Sequence, residues 1–190
     1  MQVFRKVLFP LVFCCLVIGC SNQPARVTQS GGILPVPAMD RAFATFVDSC
    51  YGSAPSFQSF GAKTRGYAQG VNGWFNHARF NLSVVLREDS SRYSCQFAFT
   101  SNEGNRTFAS MMNTPFNARE VTRQELGQIL KRDASGLIAV DAQTLSAIDR
   151  AFVGKTDFDG KPASFFGFIF EDQGSKSNGS RYGLMLQVSK

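Results

Sequence analysis

ARFNLSVVLREDSSRYSCQFAFT, residues 78 to 100, decides the fold class. Two runs of strict alternation flank a polar break. Phe80, Leu82, Val84 and Leu86 share one face of the first run, and Tyr93, Cys95, Phe97 and Phe99 share one face of the second. Period-two alternation marks a strand with one buried face, because successive side chains leave a pleated strand on opposite sides. The break Glu88-Asp89-Ser90-Ser91 is short enough to join antiparallel neighbours. The stretch therefore reads as a hairpin with Cys95 on its inward face.

Upstream, the segment after Pro37 carries Met39, Ala42, Phe43, Phe46, Val47 and Cys50 at helical spacing, one apolar stripe. Gly52 ends that helix. Ser53 can cap a second one with Pro55 in its first turn, Phe57 and Phe60 on its inner side and Gly66 as its stop. Downstream, a helix through Phe108 and Met111 is expected to end before Pro115. Thr122-Arg123-Gln124-Glu125 is a capping box, with Val121 and Leu126 placed as a hydrophobic staple. Asp141 is expected to cap a further short helix bearing Leu145, Ile148 and Phe152.

The C-terminus reads as a second hairpin, SFFGFIF (164–170) and RYGLMLQV (181–188), joined by the polar EDQGSKSNGS (171–180). Hairpins at two places with helices between them indicate an α+β domain, an antiparallel sheet from two hairpins with helices packed on one face. Residues 37–190 are long enough for a single globular domain with a real core.

The first twenty residues differ in kind. Arg5 and Lys6 precede an almost wholly apolar run from Val7 to Ile18, and no acidic residue occurs before Asp40. That run is short against the ~20 residues a transmembrane helix needs and has the length of a secretory h-region. Val17-Ile18-Gly19-Cys20 resembles the lipobox of bacterial lipoproteins. The resemblance covers only these residues. It implies that residues 1–19 are a cleaved signal peptide and that Cys20 is acylated with palmitate-type chains. It also implies that the exported chain is anchored in a membrane through them. Ser21 stands where an aspartate is associated with inner-membrane retention, which by the same resemblance favours the outer membrane, facing the periplasm. Residues 20–36 are then a lipidated cysteine and a flexible tether spanning about 20 to 24 Å. An uncleaved anchor is the alternative.

On this reading Cys14 and Cys15 leave with the signal and Cys20 carries lipid, so Cys50 and Cys95 remain. Two thiols in an oxidising compartment are expected to pair, and both lie on inward faces. The bridge would pin the first helix to the hairpin. A reactive or metal-binding pair is the sharper alternative, but His77 is the only histidine and no further ligands sit nearby. The mature chain keeps a net charge of +4, from 18 basic and 14 acidic residues. Its bases are scattered rather than clustered, so nucleic acid is not expected as a partner.

Familiar catalytic patterns are weak. Gly154-Lys155-Thr156 looks like the tail of a phosphate-binding loop but lacks the glycine five places earlier, where Asp149 stands. Asp157, Asp159 and Gly160 fall short of a calcium loop and read as turn residues before a strand. No Gly-x-Ser-x-Gly elbow occurs, and the pairs Glu88-Asp89 and Glu171-Asp172 fall in expected turns. No metal site and no cofactor is expected. Trp74, His77 and Arg79 lie close together and form one candidate pocket, with His77 the one testable general base for a hydrolase-type enzyme.

Phenylalanine is the remaining signal. The chain has nineteen, and Phe165, Phe166, Phe168 and Phe170 occupy both faces of one strand. In a sheet covered on one side half of these would face solvent. Either another layer covers them, or they line a cavity, or Phe166, Phe168 and Phe170 form a contact surface. The expected function is that of a membrane-anchored envelope lipoprotein acting as a non-enzymatic binding or assembly component, its partner another envelope protein. The alternative is a carrier of a small apolar ligand, and an enzyme using His77 comes third.

Overall fold

The computed structural model describes residues 34–133, 145–171 and 179–190. The lipobox, the tether as far as residue 33, Asp141 and the segment 172–178 lie outside the described residues.

The hairpin at 78 to 100 forms as read. Strand β3 (Leu82–Glu88) pairs antiparallel with β4 (Arg92–Ser101), with Leu82 opposite Phe99 and Leu86 opposite Cys95. Asp89 organises the turn. Its carboxylate accepts the backbone N–H groups of Ser91 (2.7 Å) and Arg92 (2.9 Å) and the Ser91 hydroxyl (3.0 Å). The Ser91 backbone bond, foremost among these, holds the Asp89 carboxyl below the usual aspartate range.

Around this hairpin the described strands form one antiparallel sheet of eight, in the order β1-β2-β3-β4-β8-β7-β6-β5. β1 (Ala68–Gln69) and β2 (Phe75–Asn76) extend it beyond β3. On the other side come β8 (Ser180–Ser189), β7 (Lys161–Phe170), β6 (Ile148–Phe158) and β5 (Arg119–Val121). Both edges of the sheet are therefore short strands, two and three residues long. Strands β6 and β7 meet through Asp159 and Gly160, both at positive φ (52° and 77°), between the paired Phe158 and Lys161. Two left-handed central residues make the tight hairpin turn that Asp-Gly favours. The Asp157 carboxylate accepts the Gly160 N–H at 2.8 Å.

One face of the sheet is covered by α1 (Met39–Ser49) and α3 (Asn105–Phe116). The contact is largely aromatic. Phe46 of α1 meets Phe97 edge-on at 5.9 Å and Phe165 at 5.3 Å, Phe108 of α3 stacks on Tyr182 at 4.8 Å, and Phe116 stacks on Phe165 at 4.0 Å. Such ring pairs add to the area they bury. The buried Tyr182 hydroxyl donates to the Glu103 carbonyl at 2.8 Å, and burial raises its pKa. Ala38 offers α1 no side-chain cap. Instead the Glu103 carboxylate accepts the Met39 N–H at 3.0 Å, from sixty-four residues away.

The disulfide Cys50–Cys95 joins the C-terminal end of α1 to β4, with an S–S bond of 2.05 Å and Cα atoms 5.6 Å apart. Helix α4 (Arg123–Asp133) packs on the opposite face, over β6 and β7, through Leu126 and Leu130 against Ile148, Val153, Phe166 and Met185. The Thr122 hydroxyl accepts the Glu125 N–H at 3.2 Å, the first half of the expected capping box. The Glu125 side chain turns to Arg119 at 2.5 Å instead of closing the second half.

The α+β class and antiparallel sheet stand, with several local differences. Ile148 to Phe158, expected to begin in a helix with Ile148 and Phe152 on one side, is strand β6. Helix α3 runs through Pro115 and closes at Asn117 in the left-handed region, with the Ala118 N–H returning to the Met112 carbonyl. The second expected helix shrinks to a 3-10 turn (Tyr51–Ser53) and the short α2 (Phe60–Lys63), because Phe57 between them has a φ of 52°. Val47 is 40% exposed, off the buried stripe. Helices lie on both faces, because α4 takes the one that α1 and α3 leave.

Cys50→Ser, Cys95→Ser and the double variant are expected to lose the same stability, up to about 4 kcal/mol in the chain-entropy account of a separation of 45 residues. Urea unfolding without reductant checks this. Additive losses in the double variant would mean two independent packing roles instead of one bond.

Candidate functional site

Alternation along β8 sends Tyr182, Leu184, Leu186 and Val188 to the α1–α3 face and leaves Arg181, Gly183, Met185 and Gln187 on the other. α4 shields only the β6–β7 side of this second face. On the far side the segment Val71–Gly73 crosses over β3, where the Arg87 guanidinium donates to the Asn72 carbonyl at 3.2 Å. Between them lies a groove of about 340 Å³, floored by β4 and β8 and walled by Leu130, Ile148, Phe168, Phe170 and Trp74. Gly183 makes the groove. A Cβ at this position would stand 3.2 Å from the Phe168 and Phe170 rings, so its absence lets both rings lie across β8.

The lining is mostly apolar, with Asn81, Ser83, Gln96, Thr100 and Arg181 supplying its polar groups. Asn81 and Thr100 bond to each other at 3.2 Å. Among the described residues Arg181 is the only charged one of the lining, its guanidinium 5.3 Å from the centre of the Phe170 ring.

The residues singled out in the sequence divide across this geometry. Of Phe166, Phe168 and Phe170, Phe166 is 0% exposed beneath α4 and forms no surface, whereas the other two are half-buried and line the groove. Trp74 also lines it, but His77 and Arg79 do not. His77 packs against Tyr67 at 4.8 Å and Phe80 at 5.3 Å, and its Nδ1 accepts the Arg79 N–H at 3.0 Å. Of the three, the groove therefore takes in Trp74 alone. Lys155 and Thr156 lie inside strand β6, not in a loop before a helix.

Arg181, Gly183 and Met185 are among the groove residues that no motif singles out. Their signal was present in RYGLMLQV, where taking every second residue separates the two faces.

Among the described residues no group of three or more His, Cys, Asp or Glu side chains is placed to hold a metal ion. Nor is any described helix long and apolar enough to cross a membrane. No family model matches this chain, and no curated protein or solved structure matches it.

Phe166→Ala should destabilise by about 3 to 5 kcal/mol as a core truncation, and Phe168→Ala and Phe170→Ala by clearly less. Denaturant unfolding of the three variants checks this, and equal losses would mean the groove rings are core. His77 gives a pH prediction. Burial, then Arg79 and Arg41, hold its pKa below 6.5. The unfolded chain thus takes the proton first, so stability is full above pH 6.5 and falls as pH drops through the folded value. His77→Gln should flatten that acid limb of the stability profile. An unchanged limb would place the acid sensitivity elsewhere.

Proposed function

We propose that this chain is an exported, lipid-anchored envelope protein that works by binding, and that it holds a small apolar ligand in the groove on the second sheet face. The anchoring part rests on the order of positive residues, apolar run and Val17-Ile18-Gly19-Cys20. The binding part rests on the groove. Its volume of about 340 Å³ falls at the lower end of the small-molecule range, and an apolar lining with a few polar groups is the usual composition of such sites. Phe168, Phe170 and Met185 would supply contact area, and Arg181 at the rim would orient a polar end.

Assembly with another envelope protein is the second reading. Phe168 and Phe170, half-buried beside the exposed Arg181, favour it, because aromatic and arginine side chains anchor protein contacts. Catalysis at His77 has less support. The ring's bond to the Arg79 N–H and its two aromatic neighbours bring neither a serine nor a carboxylate to it.

Trp74 is the only tryptophan of the chain and lines the groove, so its fluorescence reports occupancy. Titration of the detergent-extracted lipoprotein with lauric acid should shift that emission saturably. Gly183→Leu, whose side chain must push the Phe168 and Phe170 rings into the groove, should abolish the shift while circular dichroism stays unchanged. Native mass spectrometry of the wild type should show a small mass beyond the acyl chains. A second protein at fixed stoichiometry and a silent Trp74 would favour assembly instead.

A further inference from the structure

The second sheet face carries another concavity, beyond the apolar groove and of opposite character. Its volume is about 240 Å³, and Arg92, Lys155, Thr156, Ser164 and Gln187 line it. The register explains the cluster. Ser94 lies directly opposite Gln187, Gln187 opposite Ser164, and Ser164 opposite Lys155. Four neighbouring strands thus present a continuous polar row on one face, with Arg92 on the same face of β4, two residues before Ser94. Cross-strand neighbours of this kind are close enough to act on one small group.

Gln187 is 3% exposed, yet among the described residues neither its Nε2 nor its Oε1 has a hydrogen-bond partner. The buried Ser94 hydroxyl beside it and Arg92 Nη1 are unpartnered as well. Buried polar groups are ordinarily hydrogen-bonded, because leaving one without a partner is unfavourable. Four such atoms gathered in one place are the mark of a site, not of scattered packing faults. The cations are also uncommitted. Among the described residues neither Arg92 nor Lys155 has a carboxylate within ion-pair distance. Asp89, which faces Arg92, is occupied by the backbone N–H groups of Ser91 and Arg92. Among the described residues no acidic side chain lines the concavity.

We propose that this row is a binding site for a hydrogen-phosphate group, free or borne by a phosphate monoester. Arg92 Nη1, Lys155 Nζ and Gln187 Nε2 donate to its oxygens, as charge-assisted bonds suit an oxyanion. Gln187 Oε1 is an acceptor and needs a donor, which the O–H of hydrogen phosphate supplies and fully ionised sulfate does not. The site thereby discriminates between two anions of nearly equal size. It is independent of the apolar groove and of any ligand there.

Thermal unfolding of the full lipoprotein in detergent, at constant ionic strength, tests this. Inorganic phosphate should raise Tm logarithmically once it exceeds its Kd, by about 5 to 10 °C at a hundredfold excess, where chloride does not. Sulfate should bind about tenfold more weakly, because it leaves Oε1 unpartnered. Lys155→Gln, at an exposed position, should weaken the phosphate response without altering the unliganded Tm. Gln187→Leu should abolish the response while keeping or raising that Tm, because it removes the unpartnered amide. Glycerol phosphate separates the sources: a response to it alone assigns a phosphate monoester, and to inorganic phosphate alone the free ion. No response to either, equal responses to sulfate and phosphate, or variants that respond like wild type would overturn the proposal.

Discussion

Ten consecutive residue pairs join β4 to β8, from Arg92 opposite Ser189 to Ser101 opposite Ser180. This is the seam between the early and late parts of the chain. On one side stand β1 to β4, on the other β5 to β7, and among the described residues no other strand pairing connects them. Its register decides which residues of β8 face α1 and α3. A slip by one residue would send Tyr182, Leu184 and Leu186 to the opposite face and empty the core. The seam closes a long loop in sequence, an entropic expense that local pairing does not share. Cys50–Cys95 fixes α1 to β4 beside it, and the Tyr182 hydroxyl fastens β8 to the Glu103 carbonyl.

The two faces of this sheet have different tasks. The α1–α3 face is filled by phenylalanine rings from helices and strands, and it reads as a core. Among the described residues the second face is covered by α4 on one side and crossed by Val71–Gly73 on the other. What remains is graded along the strands, apolar toward Arg181 and Phe170, polar toward Gln187 and Lys155. Both concavities thus share the floor of β4 and β8, so each is positioned by the same seam.

Much of this fold was legible, because periodicity reports burial directly. The hairpin at 78 to 100, the first helix, Cys50 and Cys95 on inward faces, and the Val121–Leu126 staple all follow from residues that touch near neighbours. What failed was where two periods coincide. Leu145, Ile148 and Phe152 fit a helix by spacing, yet Ile148 and Phe152 belong to β6, whose other evident mark is the Asp159-Gly160 turn that returns it into β7. Pro115 was read as a stop. Only Phe116 follows it in the helix, and Phe116 stacked on Phe165 holds the last turn in place. The Glu103 cap of α1 had no local signal at all, because its partner is sixty-four residues distant. The site was less legible than the fold. Phe168, Phe170 and Trp74 were singled out, but grouping Trp74 with His77 followed sequence proximity, and the groove is built across strands.

The margins of the sheet have a consequence for life at high local concentration. An unpaired strand edge offers a row of N–H and C=O groups to any other extended chain, and long edges invite edge-to-edge aggregation. Here the outermost strands are Ala68–Gln69 and Arg119–Val121, two and three residues long. Arg119 and Glu120 are further engaged by Glu125 and Arg150. A ten-residue strand such as β8 at either margin would template its own copies. The sheet thus ends in stubs at both margins, although β5 covers only Ala151–Val153 of the eleven-residue β6 beside it.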